Sequence, residues 1–302
     1  MKKDVAVADV LYRHSKSFHL ASQFLAPSIR QRVQTLYAWC RYVDDSIDRA
    51  ETLKEAYESL HLWRESLEKI YSGQRVDDPV GQALQELVLS CRLPRLYLGE
   101  LLQGMEMDIV GVFAPDEETL YKYCYRVAGV VGLLMTHVMG VRDPRALKHA
   151  CHLGIGMQLI NIARDVLEDW NRGRLYIPKD WLPTLPNVGQ RLCRESFRPA
   201  VQRLLDRADE YLHSGRAGFC YLDVRNRLAV SVATEVYAGI GEKIRRRNYD
   251  IYAGRAIVHF PSKILYAARA IVRAFSMVKI PSEDGLLQCV LNERQAMRRV
   301  EI

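Results

Sequence analysis

"QLINIARDVLEDW", running from Gln158 to Trp170, places Gln158, Asn161, Asp165 and Asp169 at steps of three, four and four. Those steps keep to one face of an α-helix and would be split between the two faces of a strand. Isoleucine, leucine, valine and alanine fill most of the other positions, so the stretch reads as a core helix carrying a polar stripe. A stripe turned inward must meet a ligand, a metal or another helix, because buried polar groups without partners are costly. Its two acids, one turn apart, also repel each other.

"CRYVDDSIDRA", Cys40 to Ala50, repeats the arrangement: Asp44 and Asp48 are again four apart, and the one-residue step turns Asp45 away from Asp44. Taken singly, each pair reads as the solvated acidic end of a helix. Taken together, on helices that face each other, four carboxylates would converge on one cavity and require cations. Oxygen ligands at that density suit Mg2+ bridged to substrate phosphates. Arg41 and Arg164 precede the pairs, and Arg174 with Lys179 follows the second. They can grip phosphate oxygens or simply pair with neighbouring acids.

Working outward, apolar residues recur at spacings of three and four through most of the chain, and strictly alternating segments are scarce, which predicts an all-α fold. Helices are expected over about 28–43, 54–72, 80–91, 95–110, 117–139, 144–168, 189–213, 224–248 and 262–278. The Gly- and Pro-rich stretch 171–189 is either a lid beside Asp169 or an ordinary surface connection. No linker or repeat divides the 302 residues, so one domain over 1–302 is expected, with 279–302 as a short peripheral tail.

A hydrophobic content of 49% supports a large core and argues against disorder. Seven scattered cysteines without a C-x-x-C pair suit reduced thiols in a cytosol and give no zinc framework. Charges interrupt the start, so no signal peptide is expected. The longest apolar run, Val127 to Val141, is shorter than the roughly 20 residues that span a bilayer. His14 and His137 lack partners at ligand spacing and read as structural or surface residues. The net charge of +7 is compatible with nucleic acid, an anionic membrane or a phosphorylated substrate. Nucleic acid is not expected, because aspartate pairs on helix faces would repel its phosphates. The basic run from Lys243 to Arg247 reads as a charged helix end, with peripheral contact to an anionic bilayer as the alternative.

"HSKSF", "YAWCRYVDDSID", "YCYRVAGVVG" and "LINIARDVLEDWNRGRLYIP" occur in this order, followed by the weaker "RRRNYDIYAGR". Together they resemble the squalene/phytoene synthase family, with the greatest likeness to its bacterial phytoene synthases. The resemblance implies an all-α, single-domain isoprenoid-synthase-type helical bundle around a central cavity. It implies a prenyltransferase that joins two geranylgeranyl diphosphates head to head through a cyclopropylcarbinyl diphosphate to phytoene, releasing two diphosphates. The alternative within the family uses farnesyl diphosphate and gives squalene, dehydrosqualene or presqualene diphosphate.

By the same resemblance Asp44, Asp48, Asn161, Asp165 and Asp169 would hold two to three Mg2+ ions, or Mn2+, and NADPH is not expected. Ser15, Arg41, Gln158, Asn161, Arg164, Tyr176 and Arg255 match diphosphate-contacting positions. Phe18 and Tyr123 match residues beside the reacting carbons, and Asp108 resembles a further acid. Read on its own, each aromatic is more often an ordinary core residue. Reactive carbocations call for a dry, apolar cavity with aromatic faces. The expected setting is cytoplasmic, at most peripheral to the inner face of the cell membrane, with the oligomeric state left open.

Overall fold

The computed structural model describes residues 10–187 and 189–275, and over them the chain is all-α, with one isolated bridge between Phe113 and Leu175. Helix α1 (Lys16–Ser22) leads to α2 (Pro27–Asp48), α3 (Leu53–Tyr71), α4 (Pro79–Cys91) and α5 (Arg95–Val110). Then come α6 (Glu117–Cys124), a π-helical turn (Tyr125–Gly129), α7 (Val130–Val138), α8 (Arg145–Asn171), α9 (Arg194–Ala217), α10 (Val224–Arg246) and α11 (Phe260–Phe275).

Short acidic side chains start several of these helices by satisfying amides that lack an intrahelical acceptor. Asp78 accepts from the Gly81 N–H at 2.6 Å, Asp116 from that of Thr119 at 2.7 Å, and Asp223 from those of Arg225 and Asn226. Helix α8 is the central post: Ile155, Leu159, Ile160, Ala163 and Val166 are buried, and α7, α9 and α10 pack around it. Helix α2 lays Leu36, Trp39 and Val43 into the same core. Gly132 and Gly154 set the approach of α7 and the π turn to α8. A methyl group at Gly154 would overlap the Ala128 carbonyl oxygen, and one at Gly132 that of Ala150. Gly154 therefore serves backbone-to-backbone packing.

Each expected helix is present, with instructive differences. The first runs on to Asp48, so the first acidic motif lies within a helix. Arg41 pairs with Asp44 at 2.9 Å and with Asp45, and Arg49 reaches Asp45 at 2.7 Å, offsetting repulsion through i,i+3 and i,i+4 contacts. The span expected over 117–139 is interrupted by the π turn, a device common at functional sites. Helix α1 is too short to show a period and was not anticipated. Its N-cap is Ser15, which accepts from the Phe18 N–H at 3.3 Å. Residues 276–278, the expected tail 279–302 and Cys289 lie outside the described residues. None of the six described cysteines forms a disulfide, and no described helix is long and apolar enough to cross a membrane.

Candidate active site

Helix α2 contributes Asp44 and Asp48, α5 contributes Asp108, and α8 contributes Gln158, Asn161, Asp165 and Asp169 to the wall of one cavity of ≈ 800 Å³. Ser15, Phe18, Arg41, Tyr123, Arg164, Tyr176 and Arg255 line it too, so every site residue expected from the sequence comes to one place. Asp45 is not among the lining residues, in keeping with its one-residue offset.

The segment after α8 supplies one rim by strand-like alternation. Leu175 N–H donates to the Val112 carbonyl at 3.0 Å, and Ala114 N–H donates to that of Leu175 at 2.7 Å. This pinning buries Leu175 and turns Arg174 and Tyr176, on either side of it, to the cavity. The stretch expected as a lid or a plain connection therefore begins as a fixed rim. Lys179 is not a lining residue.

Tyr176 and Tyr123 stack with centroids 4.6 Å apart, and both hydroxyls donate to Asp108, at 2.6 and 3.1 Å. Burial raises the Asp108 carboxyl to about 6, against the pull of these hydrogen bonds and of Arg174. Burial, then Asp48, pushes Asp44 up to about 6, and burial, then Asp165, pushes Asp169 up to about 7. Asp108 adds to the rise at both, so the acids of three helices feel one another. Arginines meet part of this charge: Arg174 stands 3.1 Å from Asp48, Arg164 pairs with Asp165, and Arg255 lies 3.1 Å from Asp165.

A second, apolar cavity of ≈ 340 Å³ adjoins the first. Seven residues wall both: Phe18, Tyr37, Cys40, Val127, Gln158, Asn161 and Tyr237. Farther along, Gly154, Ala150 and Ala146 of α8 carry the apolar wall away from the acids.

The signature of the squalene/phytoene synthase family matches residues 11–262. The chain belongs to that family. A phytoene synthase of Pseudescherichia vulneris is 36% identical over 291 residues, 91% of this chain and 94% of that protein. A 15-cis-phytoene synthase of Pantoea ananas is 34% identical over 262 residues, 83% of this chain and 85% of that protein. Among solved structures, a dehydrosqualene synthase in complex with ligand superposes with a TM-score of 0.82 at 25% identity, covering 89% of this chain and 95% of that one. A squalene synthase from Alicyclobacillus acidocaldarius gives 0.75 at 23% identity, covering 83% and 96%. The fold is thus that of the all-α squalene/phytoene synthases.

Two orphaned atoms of this squalene/phytoene synthase fit a cation and an anion in the cavity. Asn161 leaves its Oδ1 buried without a donor, and Arg41 leaves its Nε buried without an acceptor. Oxygen donors among crowded carboxylates are the set that hard divalent ions take. Among the described residues, no group of three or more His, Cys, Asp or Glu side chains is already gathered around one metal-sized point. The acids instead lean on arginines.

The sequence reading missed Tyr37, Tyr237, Glu168, Arg172 and Lys263, which also line the large cavity. Tyr37 had a signal, since 37, 41, 44 and 48 follow steps of four, three and four on α2. Tyr237 had none: it reaches the site because α10 packs on α8, which sets it in the wall of both cavities.

Proposed function

We propose that this prenyltransferase condenses two geranylgeranyl diphosphates head to head to phytoene, through a cyclopropylcarbinyl diphosphate and with release of both diphosphates. The observation that carries the reading is an acid- and arginine-lined cavity that adjoins an apolar one across shared side chains. Asp44, Asp48, Asn161, Asp165 and Asp169 would hold two or three Mg2+ ions, with Mn2+ as the substitute. Once bound, these ions would neutralise the charge that develops on an allylic diphosphate as its C–O bond breaks.

Arg41, Arg164, Arg174 and Arg255 offer further positive charge to that leaving group, and Ser15 and Gln158 offer hydrogen bonds. The allylic carbon falls at the junction of the cavities. There Phe18 packs 5.3 Å from Tyr237 and 6.3 Å from Tyr37, and the stacked Tyr123–Tyr176 pair faces the same space. Aromatic faces attract a carbocation and exclude the water that would quench it.

Helix α8 also acts as a ruler for the prenyl tail. From Asn161 to Ala146 is 15 positions, about 22 Å at the α-helical rise. At about 1.2 Å per bond, the rate of an extended backbone, the roughly 15 bonds of a geranylgeranyl chain reach about 18 Å and the roughly 11 of a farnesyl chain about 13 Å. An apolar wall continuing to Ala146 favours the longer tail.

The likeness to a dehydrosqualene synthase favours a second reading, with farnesyl diphosphate as substrate. One assay separates them: the protein is given each diphosphate with Mg2+, with and without NADPH, and the hydrocarbon is identified. Phytoene from geranylgeranyl diphosphate without NADPH is expected; a C30 product formed in preference would replace this reading. We place the activity in the cytoplasm, with membrane contact peripheral at most.

A further inference from the structure

The connection between α10 and α11 carries Arg255 to the cavity, and two of the four basic residues in the run before it, Lys243 and Arg247, hold that connection. Arg247 Nη1 donates to the carbonyls of Ala253 and Gly254 at 3.0 and 2.9 Å, the two peptide units immediately before Arg255. Lys243 Nζ donates to the Ile257 carbonyl at 2.9 Å, just beyond it. Arg255 itself lies 3.1 Å from Asp165 and 3.5 Å from Glu168, and Ala256, Ile257 and Val258 line the cavity.

The path of this strap is not one the backbone prefers. Asn248 and Tyr249 take consecutive left-handed conformations, with φ of 55° and 56°. An L-residue such as Tyr249 adopts this conformation only at a cost, which Asn248 bears more easily. Helix-terminal bonds such as Tyr249 N–H to the Ile244 carbonyl, 3.0 Å, support the turn itself. Farther along, Arg194 lies 3.1 Å from Asp250 and the Tyr252 hydroxyl donates to the Leu192 carbonyl at 2.9 Å; the last two carbonyls before Arg255 are held by Arg247, whose charged donor makes the stronger class of hydrogen bond.

We propose that Arg247 is a positioning residue for Arg255: by clamping two carbonyls it fixes the strap, and it influences the substrate diphosphate only through the guanidinium of Arg255. The inference rests on the reading of the large cavity as a diphosphate site. The test uses the full chain with Arg247→Ala, Arg247→Lys, Arg255→Ala and the Arg247→Ala/Arg255→Ala double variant, assayed for phytoene formation beside the wild type. Each alanine variant is expected to lower kcat/KM about tenfold or more. The double variant should fall no further than Arg255→Ala alone, the mark of two residues acting as one unit. Arg247→Lys, able to reach one carbonyl, should recover part of the loss, with helical circular dichroism unchanged. Losses that multiply in the double variant, or wild-type rates in Arg247→Ala or in Arg255→Ala, would overturn the proposal. A wild-type protein that turns over neither geranylgeranyl nor farnesyl diphosphate would overturn the reading of the site, and this inference with it, before any variant is compared.

Discussion

Arg174 Nη2 stands 3.1 Å from Asp48 Oδ1, tying the rim that follows the second acidic motif to the first motif, 126 positions earlier. The contact joins two halves of the site that come from opposite ends of the sequence pattern. It also points a cation at the place where a leaving diphosphate would sit.

Arg174→Ala should therefore lower kcat/KM for geranylgeranyl diphosphate about a hundredfold, the scale of losing one preorganised charge from a transition state. A partly exposed ion pair contributes about 1 kcal/mol or less to folding, so the unfolding temperature should hardly move. Arg174→Lys is expected to fall between the two. Steady-state kinetics beside a thermal melt decides it, and an unchanged kcat/KM would remove Arg174 from the chemistry.

Ala150 lines the apolar cavity about 16 Å along α8 from Asn161, beyond the reach of a farnesyl tail and within that of a geranylgeranyl one. Ala150→Phe should accordingly cut geranylgeranyl turnover severely, about thirtyfold or more, on the scale of a misfitted core group of about 2 kcal/mol. Farnesyl diphosphate should be spared. Competition between the two substrates gives the ratio directly; equal losses would show that the tail runs elsewhere.

Gly154 meets the Ala128 carbonyl so closely that a methyl group has no room. Gly154→Ala is expected to destabilise the protein by about 2 kcal/mol, because the obstacle is backbone and cannot rotate aside. Chemical denaturation would register it, and wild-type stability would mean that the π turn and α8 can separate at little cost.

His152 is fully buried, with Nδ1 2.7 Å from Ser214 Oγ, and burial, then Lys148, pushes its pKa down to about 4. An unfolded histidine protonates near about 6.5. Between those values the unfolded chain binds more protons, so this group's stabilisation is complete above the window and is lost as the pH falls through it. The unfolding temperature of the wild type should drop more steeply from pH 6.5 to 4 than that of His152→Asn. Parallel slopes would contradict this assignment.

The helical fold and the acid face were legible because they rest on local spacing: Gln158, Asn161, Asp165 and Asp169 show their shared side in the sequence itself. The extension of α2 through Asp48 was not, since three aspartates look like a helix end until Arg41 and Arg49 are seen to pair with them. The π turn leaves no periodic trace over five residues. Tyr237 and Lys263 reach the cavity only through the packing of α10 and α11, which no short stretch encodes.

The seven side chains common to both cavities form the shared wall where charge gives way to hydrocarbon. Whatever ionises the substrate sits above it, and whatever measures the tail sits below. A lineage can therefore inherit the upper storey intact and explore new products by editing the lower one, which gives a reason for a single architecture to serve hydrocarbons of different size.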